Sequence, residues 1–445
     1  MINEANLIFC YFVTMKKFAS FLFETVPIDK LAIWRILFGL LMCMETWGAI
    51  AVGWVDRVFV VPQVHFHFIG FEFLPVLPGK WQYLLYVLMG IFALGMALGY
   101  RYLLSTSLLF VFWWSTYLTH KIGYNNHHYL YGLLLGLFLL VPADKKYSFS
   151  GTKWSHVFRW HYLLFLSLFL LAFVYAAVAK IYPDWLQGQP IGTWLTHKRG
   201  FPRFFSNPNF HLFVAWGGIA FDALVIPALM FRKTRGMGIA ASFVFHLFNS
   251  IVFEIGTFPY MMLAALVLFA DDKWISRRWF YQPAPQRVGP TYSESRKQGM
   301  LFFYLGFVLL QFLLPLRHFA FKDSVFWTEE GHRLSWRMML RYKSGRGYFL
   351  VEQSNGKVIE DHPSKILTYD QYNRVCTKPD MLYSYVQMLK KKYPGAKIFA
   401  HVRAGVNGRS LQYFVKPNID LSQVKWQAFG HSDWLEPFGG FTTLE

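Results

Sequence analysis

From Tyr162 to Lys180 the chain reads YLLFLSLFLLAFVYAAVAK, nineteen residues with no charge before the closing lysine. That length and composition are those of a helix that crosses a bilayer. Hydrocarbon disfavours a charged amine, so a lysine held there can be neutral and act as a base. The competing reading is a lysine at a helix end whose ammonium reaches the headgroups. Position favours the second, because Pro183 stops the helix soon after Lys180 and Asp184, four residues on, offers an ion-pair partner.

The same texture recurs through the chain. Of 445 residues, 55% are hydrophobic, 20% aromatic and only 16% charged, with a mean hydropathy of +0.29, which excludes an ordinary soluble domain. The pattern predicts a polytopic α-helical membrane protein with about nine transmembrane helices near 31–53, 80–98, 102–120, 128–142, 160–180, 210–231, 238–254, 257–271 and 299–316. The fourth and eighth are short, as in tilted or re-entrant segments. A net charge of +19 raises nucleic acid or an anionic substrate as partners, but the placement of the cations gives a simpler account. Lys16, Lys17, Lys30, Arg101, Lys145, Lys146, Lys153, Arg159, Arg232, Lys233, Arg235, Lys273, Arg277, Arg278, Arg287, Arg296 and Lys297 all fall on one side when nine spans start from a cytoplasmic N-terminus, as the positive-inside rule requires. The C-terminal region then lies outside the cytoplasm, and no nucleic-acid partner is expected. The residues before Lys16 lack a basic start and a small-residue cleavage site, so no cleavable signal is expected.

After about residue 317 the pattern changes, which divides the chain into a transmembrane helical domain, 1–316, and a C-terminal extracytoplasmic α+β domain, 317–445. Asn355-Gly356 and Asn407-Gly408 each sit between alternating runs, the strongest short-range hairpin signal. Pro379 to Tyr393 starts with proline, ends on basic residues and is stopped by Pro394-Gly395, as a helix should be. No low-complexity linker separates the halves, so the outer domain should dock on the outer helix ends. Cys10, Cys43 and Cys376 are too scattered for a disulfide framework or metal cluster.

Chemistry should be sought among polar groups near the outer side. Asn125, Asn126, His127 and His128 open the fourth span; capping and interfacial roles are the simplest readings of such residues. His246 and Asn249 share a helical face with Ser250 and Glu254 further on, a row that points into the protein and can equally serve interhelical hydrogen bonding. His65, His67, His120, His127 and His128 show no metal-ligand spacing, so no metal is expected.

The strings DKLAIWRILFGLLMCMETW, YNNHHYLYGLL, VYAAVAKIYPDWLQG, FHLFNSIVFEIGTFPYMML, LLPLRHF and LSWRMML occur in this order from Asp29 onward. Together they resemble the vitamin K-dependent γ-glutamyl carboxylase family, within the group of horizontally transferred transmembrane domains. The chain looks like a compact microbial-type member, without the further C-terminal portion of animal carboxylases, and a bacterial inner membrane is the location this implies. The resemblance implies that Lys180 is the catalytic base toward the reduced quinone and that His127 assists it. It further implies that Asn126, His246 and Asn249 line the cofactor pocket, and that His318 and the segment 334–339, including Trp336, Met338 and Met339, serve the glutamate substrate. Glu254 stands where the family has a small polar residue.

No side-chain base can remove the γ-proton of glutamate directly, since general bases contribute only about 10²–10⁴-fold. The family chemistry generates a stronger base from vitamin K hydroquinone, of phylloquinone or menaquinone type, and O₂. CO₂ then traps the carbanion, giving γ-carboxyglutamate and quinone epoxide. The reaction class implied is a carbon-carbon lyase with coupled mono-oxygenation, and the partners are membrane lipid, a lipophilic quinone and a glutamate-containing peptide or protein. The alternatives are quinone epoxidation without carboxylation, and a non-catalytic lipid-binding or assembly protein.

Overall fold

The computed structural model describes residues 16–149, 153–196, 198, 200–272, 275 and 289–439; Cys10, Lys273, Arg277, Arg278 and Arg287 lie outside them. A helix covers each of the nine apolar segments: α1 (Asp29–Ala51), α2 (Lys80–Leu98), α3 (Tyr102–Thr119), α4 (Asn126–Leu140), α5 (Trp160–Ala179), α6 (Pro208–Met230), α7 (Arg235–Phe253), α8 (Phe258–Ala265) and α9 (Glu294–Leu316). Among the described residues, α1, α2, α5, α6, α7 and α9 are long and apolar enough to cross a membrane. The expected nine crossings therefore do not all follow. α3 is diluted by hydroxyls that bond back onto their own helix, such as Thr116 to Trp113 O at 2.8 Å and Thr119 to Ser115 O at 2.9 Å. α4, with 15 residues, reaches only about 22 Å, and α8, even when continued to Phe269, is shorter still.

Burial makes α5 the axis of the bundle: 56% of its most apolar window is buried, against 17% for α9 at the rim. Trp34 and Phe38 of α1 and Phe138 of α4 interlock with Phe165 and Phe169 of α5, with ring centroids between 4.9 and 6.4 Å. α1 and α2 approach so closely that a Cβ on Gly39 would lie 2.8 Å from the Ala97 backbone, which only glycine permits. Buried Arg35 donates to the carbonyls of Ala97 at 3.1 Å and Ala143 at 3.0 Å, so its charge is met by backbone oxygens.

The C-terminal region holds an antiparallel sheet of order β4-β3-β5-β6, formed by β3 (Lys343–Glu352), β4 (Val358–Asp361), β5 (Lys397–Val406) and β6 (Gln412–Tyr413), numbered after a small pair, β1 (Thr25–Pro27) and β2 (His156–Phe158), in the helical region. Both Asn-Gly hairpins form where expected. Asn407 (φ 52°) and Gly408 (φ 82°) adopt the left-handed turn that joins β5 to β6. The helix expected from Pro379 runs to Lys392 as α11, behind α10 (Tyr369–Thr377), which the sequence reading did not anticipate despite its Thr368/Gln371 capping box. Alternate residues of β5, Ile398, Ala400, Val402 and Ala404, are fully buried against these helices. The sheet unit docks on the helical bundle: Phe66 and Ile122 join its core, Gln371 donates to Val64 O at 2.7 Å, and buried Lys121 donates to Asp380 O at 2.8 Å and Ser384 at 2.7 Å.

Candidate active site

A cavity of about 680 Å³ runs from the bundle interior to the outer sheet unit, within the usual range for ligand sites. Its inner half is walled by Phe173, Val214, Phe245, Phe253 and Phe258. Lys180 ends α5 there, 7% exposed, with its Nζ 5.5 Å above the Trp185 ring and 3.3 Å from Ala176 O. Its ion-pair partner is Asp222, from the middle of α6 and 5% exposed. The Asp184 pairing suggested by sequence proximity does not form. Asp184 turns outward on a short helix and accepts from Arg409 Nη1 at 2.6 Å, Arg409 Nη2 at 2.8 Å and Asn407 Nδ2 at 2.7 Å. Nor does Lys180 snorkel.

His127, His246, Asn249 and Asn126 all line this cavity with Lys180. His246 is 2% exposed, its ring is edge-on to Phe221 at 5.5 Å, and its Nδ1 has no partner among the described residues. Asn125 caps α4 by accepting from His128 N at 2.7 Å, which fixes the first turn that carries both histidines. His128 points away from the cavity and bonds Glu45 at 2.8 Å. Asn126 is occupied as an anchor: it donates to Arg337 O at 3.0 Å and accepts from Tyr124 at 3.0 Å.

Arg337 belongs to a strap, 329–341, in which Glu329 (φ 64°), Leu334 (φ 57°), Trp336 (φ 56°) and Met339 (φ 45°) hold left-handed backbone without being glycine. Such strain persists only where the surroundings over-determine it, and it gathers at binding sites. Met338 and Met339 line the cavity. Trp336 does not: it is 1% exposed and packs on Tyr129 at 5.1 Å, as core. His318 also stands off the cavity, with Nδ1 at Pro315 O, 2.7 Å, and Nε2 3.4 Å from Arg337. Ser250 bonds Tyr260 on the exterior, and Glu254 lies beyond the end of α7 in a left-handed conformation, exposed and paired with Lys198 at 2.7 Å. Neither lines the cavity with His246.

The outer half of the cavity is cationic. Arg337, Arg341, Lys343, Arg374 and Lys378 line it, against Glu329 and Asp370. Glu329, 3% exposed, pairs with Arg341 and with Lys378 at 3.0 Å. Burial alone would raise its carboxyl, but Arg341, Lys378, His332 and Lys343 together hold it well below the usual carboxylate range. Burial pushes Lys378 down to about 8 against the pull of Glu329, and pushes Lys343 well below an ordinary lysine. Among the described residues, no three His, Cys, Asp or Glu side chains gather as a metal site.

Sequence reasoning missed Asp222 and Glu45, although each is an acid inside an apolar run, the signal that singled out Lys180. It had no comparable signal for Glu329, Arg341 or Lys378.

An apolar helical bundle capped by an outer sheet unit, with a cavity between them, defines a polytopic membrane protein with an outer domain. A family model described as HTTM domain matches residues 23–274, more than half of the chain, and one described as vitamin K-dependent gamma-carboxylase, lumenal domain, matches residues 296–440. The chain belongs to the vitamin K-dependent gamma-carboxylase family. No solved structure matches it. Its C-terminal region is accordingly the extracytoplasmic one.

Proposed function

We propose that the protein couples epoxidation of a reduced vitamin K-type quinone to γ-carboxylation of glutamate in a peptide or protein presented from the extracytoplasmic side. The observation that carries this reading is the buried Lys180–Asp222 pair in an apolar half-cavity whose other half is cationic. The aromatic walls and the unpartnered His246 Nδ1 fit a lipophilic quinone that carries a polar head. When bound, the reduced quinone supplies, with O₂, the strong base that no side chain can provide.

The residues of the chain do the rest. Lys180 and Asp222 hold protons between them; when the proton of the pair rests on Asp222, the Lys180 amine is free to accept one from a hydroxyl in the cavity. His246 Nδ1 and the His127 ring hydrogen-bond and orient the polar head. Phe173, Phe245 and Phe258 exclude water, which would otherwise quench a strong base. Arg341 and Lys378 attract and orient the γ-carboxylate of the substrate, in exchange with Glu329. Met338 and Met339 form the adaptable wall between the halves. We also propose a cytoplasmic N-terminus and a boundary between helical and outer domains at 316/317.

The test is purified protein in lipid with reduced vitamin K, a glutamate-containing peptide, O₂ and labelled bicarbonate. Quinone epoxide and label in γ-carboxyglutamate are expected together. Epoxide without incorporated label would favour quinone epoxidation alone, and unchanged quinone would favour a non-catalytic lipid-binding protein.

A further inference from the structure

Behind α4, away from the main cavity, lies a small chamber of about 20 Å³ lined by Glu45, Trp54, Phe59, Thr116, His120 and His128, among others. That is room for a single water. Glu45, His120, His128 and His65 are all absent from the lining of the main cavity. On one side of the chamber, Glu45 accepts from His128 at 2.8 Å and from the Thr257 hydroxyl, which also meets Tyr131 OH at 2.9 Å. On the other side, His120 is 2% exposed and neither ring nitrogen has a hydrogen-bond partner among the described residues. A neutral imidazole carries one donor and one acceptor, and leaving both unmatched in an apolar wall is expensive. His65 faces His120 at a centroid distance of 5.6 Å, with its own buried Nδ1 unpartnered among the described residues.

We propose that the chamber binds one ordered water that joins His120 to the Glu45–His128 pair, and that this set relays a proton from the reaction cavity to the outer face. The start of the path is His127, which lines the cavity and whose ring lies 5.0 Å from that of His128. Its end is half-buried His65, next to Val64, whose carbonyl is held by Gln371 of the outer unit.

The relay function rests on the carboxylase reading, whose balance requires it. Replacing the γ C–H bond of glutamate by a C–C bond to CO₂ leaves a carboxylate and one proton per turnover. The two hydrogens of the hydroquinone leave as water with one oxygen of O₂, and the other oxygen forms the epoxide. With quinone and peptide in the cavity, its mouth is filled by substrate, so the proton needs a second way out.

The experiment uses the full-length protein in lipid nanodiscs as wild type, His120→Phe and His120→Asn. High-resolution density of the wild type should contain one water within hydrogen-bond distance of a His120 nitrogen and of Glu45 or His128; a chamber without density overturns the link. In His120→Phe, kcat for γ-carboxyglutamate should fall about tenfold or more with KM for quinone and peptide unchanged. Its solvent isotope effect in D₂O should rise as proton exit becomes slow, and added imidazole should restore part of the rate. His120→Asn, which keeps a hydrogen-bonding group, should retain more of the rate than His120→Phe. An unchanged kcat overturns the relay, and so does a kcat loss with the wild-type isotope effect and no rescue, which is the signature of a packing residue. A wild type that incorporates no CO₂ removes the carboxylase reading itself and the relay with it. That outcome is distinguishable because it needs no substitution, and the density still decides whether the water site exists.

Discussion

The two halves of the main cavity handle charge in opposite ways. In the inner half, among aromatic walls, Asp222 is the one charged partner of Lys180 among the described residues, beside the neutral Ala176 O and the Trp185 ring. In the outer half, Glu329 is shared by Arg341 and Lys378, with His332 and Lys343 close enough to bias it further. A lone pair in a low dielectric is sensitive to the position of one proton. A network with several cations on one acid is not, because losing one partner leaves others. The inner half thus holds a single buried ion pair and the outer half a shared network of several cations on one acid.

The strongest way to break this contrast is at the pair. Lys180→Arg should abolish turnover, a loss of at least about 10²-fold, because a guanidinium does not deprotonate. Asp222→Asn should cost about 3–5 kcal/mol of stability by leaving the lysine charge unpaired. The double variant Lys180→Met with Asp222→Leu should regain stability without regaining activity. Thermal unfolding in detergent and the coupled epoxide and carboxylation assay read both; an active Lys180→Arg variant would end the assignment of Lys180 as base.

Next in size is Trp336→Ala. As core packed on Tyr129, it should cost about 3–5 kcal/mol and lower epoxide formation and peptide carboxylation in parallel. A selective loss toward peptide, with unfolding unchanged, would return Trp336 to the substrate side.

The outer network gives a smaller, pH-dependent effect. The Glu329 carboxyl is depressed in the folded protein, so its stabilisation is complete above the ordinary glutamate value of about 4.3 and is lost as pH falls toward the lower folded value. Glu329→Gln should remove that acid-sensitive component. At neutral pH it should cost about 1–3 kcal/mol by leaving Arg341 and Lys378 short of an acceptor. Unfolding midpoints of wild type and variant, followed from pH 7 down to pH 3, should converge toward the acid end; parallel curves would mean that Glu329 does not carry the network. The smallest effect is expected at Glu254→Ser, within about 0.5 kcal/mol and without change in turnover, since the surface pair with Lys198 contributes little.

The same contrast explains what the sequence disclosed. An ionisable residue inside an apolar run stands out, as Lys180 and His246 did and as Asp222 and Glu45 could have. The residues alone, however, favoured interfacial and hydrogen-bonding roles, and the roles proposed for Lys180, His246 and His127 came only with the family resemblance. Asp184 misled because proximity in sequence was read as proximity in space; its partners Arg409 and Asn407 are 225 and 223 residues away. The outer cluster had no mark at all. Glu329, His332, Arg341 and Lys378 are polar residues among polar residues, and only the strap and α10 bring them together. Both hairpins could be read because an Asn-Gly turn is a local conformational demand, whereas the inward packing of Trp336 follows from a left-handed kink that nothing in LSWRMML announces. The nine apolar segments were legible as helices, but whether a helix crosses depends on length and on hydroxyl content, where α3, α4 and α8 fall short.

The bond between Asp184 and Arg409 has a mechanical consequence. Asp184 follows the end of α5 by one short turn, and Arg409 sits beside the tight bend between β5 and β6. The outer sheet unit is thereby geared to the helix end that carries Lys180. Displacing that unit relative to the bundle must therefore break these bonds or carry with it the turn that follows Lys180.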